Sequence, residues 1–142
     1  MSRSIDLGLS AVPAVDWYTV RKAEAVAAFY FYGDLSSSNI TADIRSYPDA
    51  PGAALATPSV SVGVQTNSRA DWISLGIELP ADLGEADSDA ITVSTVTLTL
   101  SSGGVAALPR LNPRGEKTEL SWSVGDASQR LLAGKFVIVE TA

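Results

Sequence analysis

The sequence predicts an all-β protein, an antiparallel β-sandwich of about eight or nine short strands. Apolar residues recur at every second position in one segment after another. Gly, Pro, Asn, Asp and Ser fall between those segments, and no segment requires a helix. With 142 residues the chain is one domain, 1–142. A chain of this size buries roughly 70% of its unfolded surface, so it needs no metal or disulfide staple.

Ile5, Leu7 and Leu9 alternate with Asp6, Gly8 and Ser10, giving a first strand that Pro13 ends. Residues 15–20 are rich in β-branched and aromatic types and form a second. Residues 21–32 carry two signals. The stretch 21–28 has high helix propensity and lacks Gly and Pro. The aromatic run 29–32, followed at once by Gly33-Asp34, favours a strand from about Glu24, with a helix as the alternative. As a strand it sends Phe29 and Phe31 to one face and Tyr30 and Tyr32 to the other. Beyond a Ser/Asn loop, Ile40, Ala42 and Ile44 alternate with Thr41, Asp43 and Arg45. Strand, loop and strand are expected to form a hairpin whose core face holds Phe29, Phe31, Ile40 and Ile44.

Pro48, Pro51, Gly52 and Pro58 make 46–58 a loop. Val60, Val62 and Val64 then alternate with Ser59, Ser61 and Gly63. The cleanest alternation follows over 72–79, where Ile73, Leu75, Ile77 and Leu79 lie opposite Trp72, Ser74, Gly76 and Glu78, and Pro80 stops the strand. Residues 81–90 read as an acidic loop. The strand 91–100 changes phase, from Ile91 and Val93 to Val96, Leu98 and Leu100, and a bulge near Thr95 would restore one buried face. Gly103-Gly104 predicts a turn and 109–115 a loop. Leu120, Trp122 and Val124 share a face, which assigns Trp122 to the core, and Gly125-Asp126 turns the chain. Residues 130–140 are apolar on both faces, as in a strand that is central or meets a second chain. Strand number and spacing make the sandwich immunoglobulin-like.

Composition narrows function. The net charge is −6, with ten basic residues against sixteen acidic ones, which argues against nucleic acid as a partner. No basic amphipathic helix suits a membrane surface, and no segment approaches a span of ~20 apolar residues. The N-terminal residues lack the apolar run of a signal peptide, so the expected folding compartment is the cytoplasm. The Asn39-Ile40-Thr41 triplet is then incidental as a glycosylation site. Cys and His are both absent, which removes thiolate chemistry, the commonest general base and the commonest metal ligand. No carboxylate pair is nominated for glycoside hydrolysis. The expectation is a non-enzyme without a cofactor.

Asp82, Glu85, Asp87 and Asp89 could ligate calcium, but their spacing lacks the glycine and terminal glutamate of an EF-hand, and a solvated acidic loop is the simpler reading. Charged residues make up only 18% of the chain, which suits a protein that hides surface against copies of itself or partners. Tyr30, Tyr32 and Trp72 lie off the apolar faces of their strands and are the candidate interface residues, with packing against the second sheet as the alternative.

Three segments occur in a familiar order. Asp34-Leu35-Ser36 leads into a strand ending Ile44-Arg45. Val96-Thr97-Leu98-Thr99-Leu100 is followed by Ala107-Leu108-Pro109. The segment 119–124 leads to Arg130-Leu131-Leu132-Ala133-Gly134 and a valine-rich strand. Over roughly 31–139 this order resembles small β-rich proteins and domains of tailed bacteriophages, typically tail or baseplate components, with Ser37 standing where their turn has glycine. The resemblance implies a virion structural or adaptor part in tail, baseplate or fibre attachment, assembled in the host cytoplasm. It further implies a homo-oligomer whose partners are other virion proteins and copies of itself. A carbohydrate-binding sandwich of an adhesin is the alternative.

Overall fold

The computed structural model describes residues 14–77, 79, 86–110, 115–127 and 129–140. They form strands β1 (Trp17–Val20), β2 (Ala25–Tyr32), β3 (Thr41–Arg45) and β4 (Ser59–Ser68), helix α1 (Arg69–Ser74), strand β5 (Ala90–Leu100), helix α2 (Ser102–Ala107), and strands β6 (Lys117–Gly125) and β7 (Arg130–Val139). The expected strand at Ile5 to Leu9 lies outside the described residues.

Two sheets result, a four-stranded one in the order β1-β7-β6-β3 and a three-stranded one in the order β2-β5-β4. Every pairing is antiparallel except β1 with β7, where Trp17 stands opposite Phe136. The second, fifth and fourth strands thus face the third, sixth and seventh, which is the immunoglobulin-like sandwich the sequence predicts. The strand over 130–140 is central, between β1 and β6. Its apolar residues on both faces follow from that place.

One core fills the space between the sheets. Phe29 of the three-stranded sheet stacks on Trp122 of the other at 5.5 Å, and Trp17 meets Trp122 and Phe136 edge-on at 5.6 and 4.9 Å. Phe31, Ile40 and Ile44 are buried in the same cluster. Trp122 Nε1 donates to Val15 O at 2.8 Å, so the largest core residue also holds the entry to β1. That entry passes very close to Gly134, where an added Cβ would lie 1.9 Å from Val15 O.

The strand favoured from about Glu24 is present as β2, with alternate residues turned inward and every residue paired to β5. Several other expectations change. The aromatic segment is not a hairpin. β2 pairs with β5 and β3 with β6, so residues 33–40 cross from one sheet to the other. Gly33 makes the corner at φ +103°, and the Ser94 hydroxyl secures it by donating to Gly33 O at 2.6 Å and accepting from Leu35 N at 2.9 Å.

The cleanest alternation, 72–79, is not a strand. Its first residues belong to α1, which Ser68 caps by accepting from Asp71 N at 3.2 Å. β5 has no bulge, and its register with both neighbours is unbroken. The change of phase is a change of buried face. Val96, Leu98 and Leu100 enter the central core, whereas Ile91 and Val93 point outward and are covered by Trp72. Gly103-Gly104 is not a turn but the interior of α2, which Ser101 caps by accepting from Gly104 N at 3.0 Å.

Candidate functional site

The two sheets differ sharply in surface chemistry. No residue of β2, β4 or β5 is charged. The outer face of that three-stranded sheet presents Val26, Ala28 and Tyr30 from β2, Thr95, Thr97 and Thr99 from β5, and Ser59, Ser61, Gly63 and Gln65 from β4. Tyr30, on the edge strand β2, is 63% exposed, and Val26 is exposed on the same face of that strand. An uncharged sheet face with an exposed aromatic has the composition of an interface core, where charged residues are depleted and tyrosine enriched.

The three candidate interface residues separate. Tyr30 is exposed as expected. Trp72 is buried, at 6% exposure, and is not an available contact residue. Its indole packs on Ile91 and Val93, and Nε1 donates to Ile91 O at 2.8 Å. Tyr32 is half-buried and packs against the same cluster with Ile77 and Leu79. The reason lies with α1, which turns the chain back onto one end of the sheet and carries Trp72 with it. In doing so it leaves Ile73 and Leu75 exposed. The accessible surface is therefore Tyr30 and Val26 on the sheet, with Ile73 on the helix and Leu75 at its C-terminal cap.

The outer face of the four-stranded sheet has the opposite character. A groove of about 510 Å³ runs over β3, β6 and β7, and its lining includes Asp43, Arg45, Tyr47, Glu119, Arg130 and Lys135. Its charges are in ion pairs apart from Asp16, which accepts from Lys135 N at 3.2 Å. Arg130 meets Asp49 at 2.6 Å, Arg45 meets Asp43 at 3.3 Å, and Glu119 sits between Lys117 at 3.1 Å and Lys135 at 3.4 Å. The hydrogen bond from Arg130, then its charge, holds Asp49 below the usual carboxylate range. The hydrogen bond from Lys117, then the charge of Lys135, does the same for Glu119. Both carboxylates are thereby kept ionised, the state of an ion-pair partner rather than of a proton donor.

Asp87 and Asp89 tie their loop to α1 through backbone oxygens, Ala70 N donating to Asp87 O at 3.0 Å and Arg69 N to Asp89 O at 2.9 Å. The Asp89 carboxylate accepts from Ala86 N at 3.0 Å. Asp82 and Glu85 lie outside the described residues. Among the described residues no group of three or more acidic side chains is placed to hold a cation.

No protein-family model matches this chain, and no curated protein matches it either. The geometry alone therefore ranks the surfaces. The uncharged sheet is the stronger candidate, because among the described residues nothing uses its outer face beyond the corner that Trp72 covers. Reading residues one by one found Tyr30 but missed the sheet. The signal was available as a count of charges by strand, yet it acquires meaning only once β2, β4 and β5 are known to be neighbours.

Proposed function

We propose that this protein is a non-enzymatic structural or adaptor component of a tailed-phage or phage-like particle, working by packing against copies of itself and other virion proteins. The observation that carries the packing role is the uncharged three-stranded sheet with Tyr30 exposed on its outer face. Burying such a surface costs no ion desolvation, and a tyrosine supplies contact area with few rotamers to freeze. The order of the three short motifs supports the virion setting. Repeated copies in a symmetric assembly let a modest contact hold, since each added subunit binds in an already linked array.

Mass spectrometry of particles from the host that encodes the chain tests this reading. The chain is expected in fixed stoichiometry with tail components, and Tyr30→Arg is expected to lower its copy number. Its absence from purified particles would overturn the proposal.

A carbohydrate-binding module is the second reading, favoured by the groove on the four-stranded sheet, where an exposed Tyr47 lies beside polar and charged groups. A glycan array should then give hits that Tyr47→Ala abolishes, and an array without hits sinks it.

A further inference from the structure

Sheet edges are where another chain can add, because edge residues turn unpaired N–H and C=O groups outward. Two of the four edges here are short or guarded. β1 has four residues. β3 carries Asp43 and Arg45, and its outer side is occupied, with Ile44 N donating to Ala56 O at 2.9 Å and Leu55 N to Ile44 O at 2.7 Å. β2 lies beside β1.

β4 differs. It runs for ten residues with no charged side chain and no proline, and it pairs with β5 without a register shift. Among the described residues, no backbone hydrogen bond reaches it from the side away from β5. At its middle stands Gly63, where an added Cβ would meet nothing within 4 Å. Gly63 stands opposite Thr95, so the space it leaves lies over the outer face of the sheet. Val64 beside it is 39% exposed.

We infer that β4 is the edge through which two copies of this chain join, strand against strand and antiparallel. This rests on the packing role proposed above and names the contact. A second copy is the occupant that the charges favour. With a net charge of −6, two copies repel over much of their surfaces, and this sheet is where they meet without opposing like charges. An antiparallel two-fold pair is self-complementary, since each outward N–H meets a C=O of the same strand in the other copy. A two-fold axis perpendicular to the sheet leaves both outer faces on one side, so the three-stranded sheet doubles to six strands with a Tyr30 toward each end. Edge pairing alone buries less than the roughly 1,600 Å² of a standard interface, so the pair is weak in dilute solution and is strengthened within an assembly.

Sedimentation velocity and amide hydrogen exchange on the full chain over a concentration series test the inference. A monomer-to-dimer shift is expected, with β4 amides slowing several-fold over the same concentrations. The exposed pair Ser61→Lys/Gln65→Lys should keep the chain monomeric throughout while leaving thermal unfolding unchanged. A dimer that survives those lysines, or whose β4 amides exchange at the monomer rate, overturns the edge contact. If Tyr30→Arg dissociates that dimer instead, the packing role stands through the sheet face. A chain that is monomeric at every concentration overturns the inference, and its absence from particles would remove the packing role as well.

Discussion

Arg21 and Glu140, 119 residues apart in the chain, form an ion pair in which the Glu140 side chain is 1% exposed. Arg21 Nε donates to Glu140 Oε1 at 2.9 Å, and a terminal guanidinium nitrogen donates to Oε2. The same guanidinium reaches Val105 O at 3.2 Å and Leu108 O at 2.7 Å, and the Thr118 hydroxyl donates to Glu140 Oε2 at 2.5 Å. One arginine therefore ties the end of β1 to α2 and to the residue after β7.

Acid should loosen this tie. The hydrogen bond from Arg21, helped by that from Thr118, holds the Glu140 carboxyl at about 2 against an ordinary 4.5. A carboxylate depressed in the folded state stabilises fully above its unfolded value and loses that contribution as pH falls toward the folded one. About 3 kcal/mol should therefore disappear between about pH 5 and pH 2. Urea unfolding across that window should show the slope, and Glu140→Gln should flatten it.

Removing one partner should cost more than removing both. Arg21→Met leaves a buried carboxylate short of its main partner, a loss of about 3–5 kcal/mol. Arg21→Met/Glu140→Leu should recover part of that loss in a double-mutant cycle. Additive losses would show that the two side chains act independently.

Trp72 should be a stability residue. Trp72→Phe removes the hydrogen bond to Ile91 O and should cost about 1–2 kcal/mol, whereas Trp72→Ala should cost about 3–5 kcal/mol by emptying the site over Ile91 and Val93. Chemical denaturation measures both, and faster amide exchange in α1 should accompany the second.

Gly134→Ala should displace β1. The added methyl would overlap Val15 O, so the entry to β1 must shift and its parallel pairing with β7 weaken, at a cost of about 1–3 kcal/mol. Amide exchange in β1 should accelerate while β4 and β5 are unaffected.

Tyr30→Arg should do the reverse of Trp72→Ala. Tyr30 is exposed, so stability should change by no more than about 0.5 kcal/mol, and the thermal unfolding curve should overlay that of the parent.

Local signals differed in what they could reveal. The Ser68-to-Asp71 spacing is a helix-start pattern, and it outranked the alternation over 72–79, in which Ile73 and Leu75 prove exposed and Trp72 buried. The phase change in β5 was real, but a bulge and a second buried face produce the same string of residues. Tyr30 was legible as an exposed aromatic because its strand has a plain period of two.

By itself the sequence determined that residues such as 59–64 and 119–124 extend, because a period of two is written in near neighbours. The same period over 72–79 nevertheless enters a helix, and 25–32 carried a helix signal as well. It likewise determined that Trp122 and Phe31 are core and that no cysteine or histidine chemistry is present. Only the tertiary structure decided that β2 leaves its sequence neighbour β3 for β5, that Trp72 covers an outer face, and that three uncharged strands lie side by side. Those outcomes depend on which distant segments meet, and so on loop closure and shared burial, which no local period encodes.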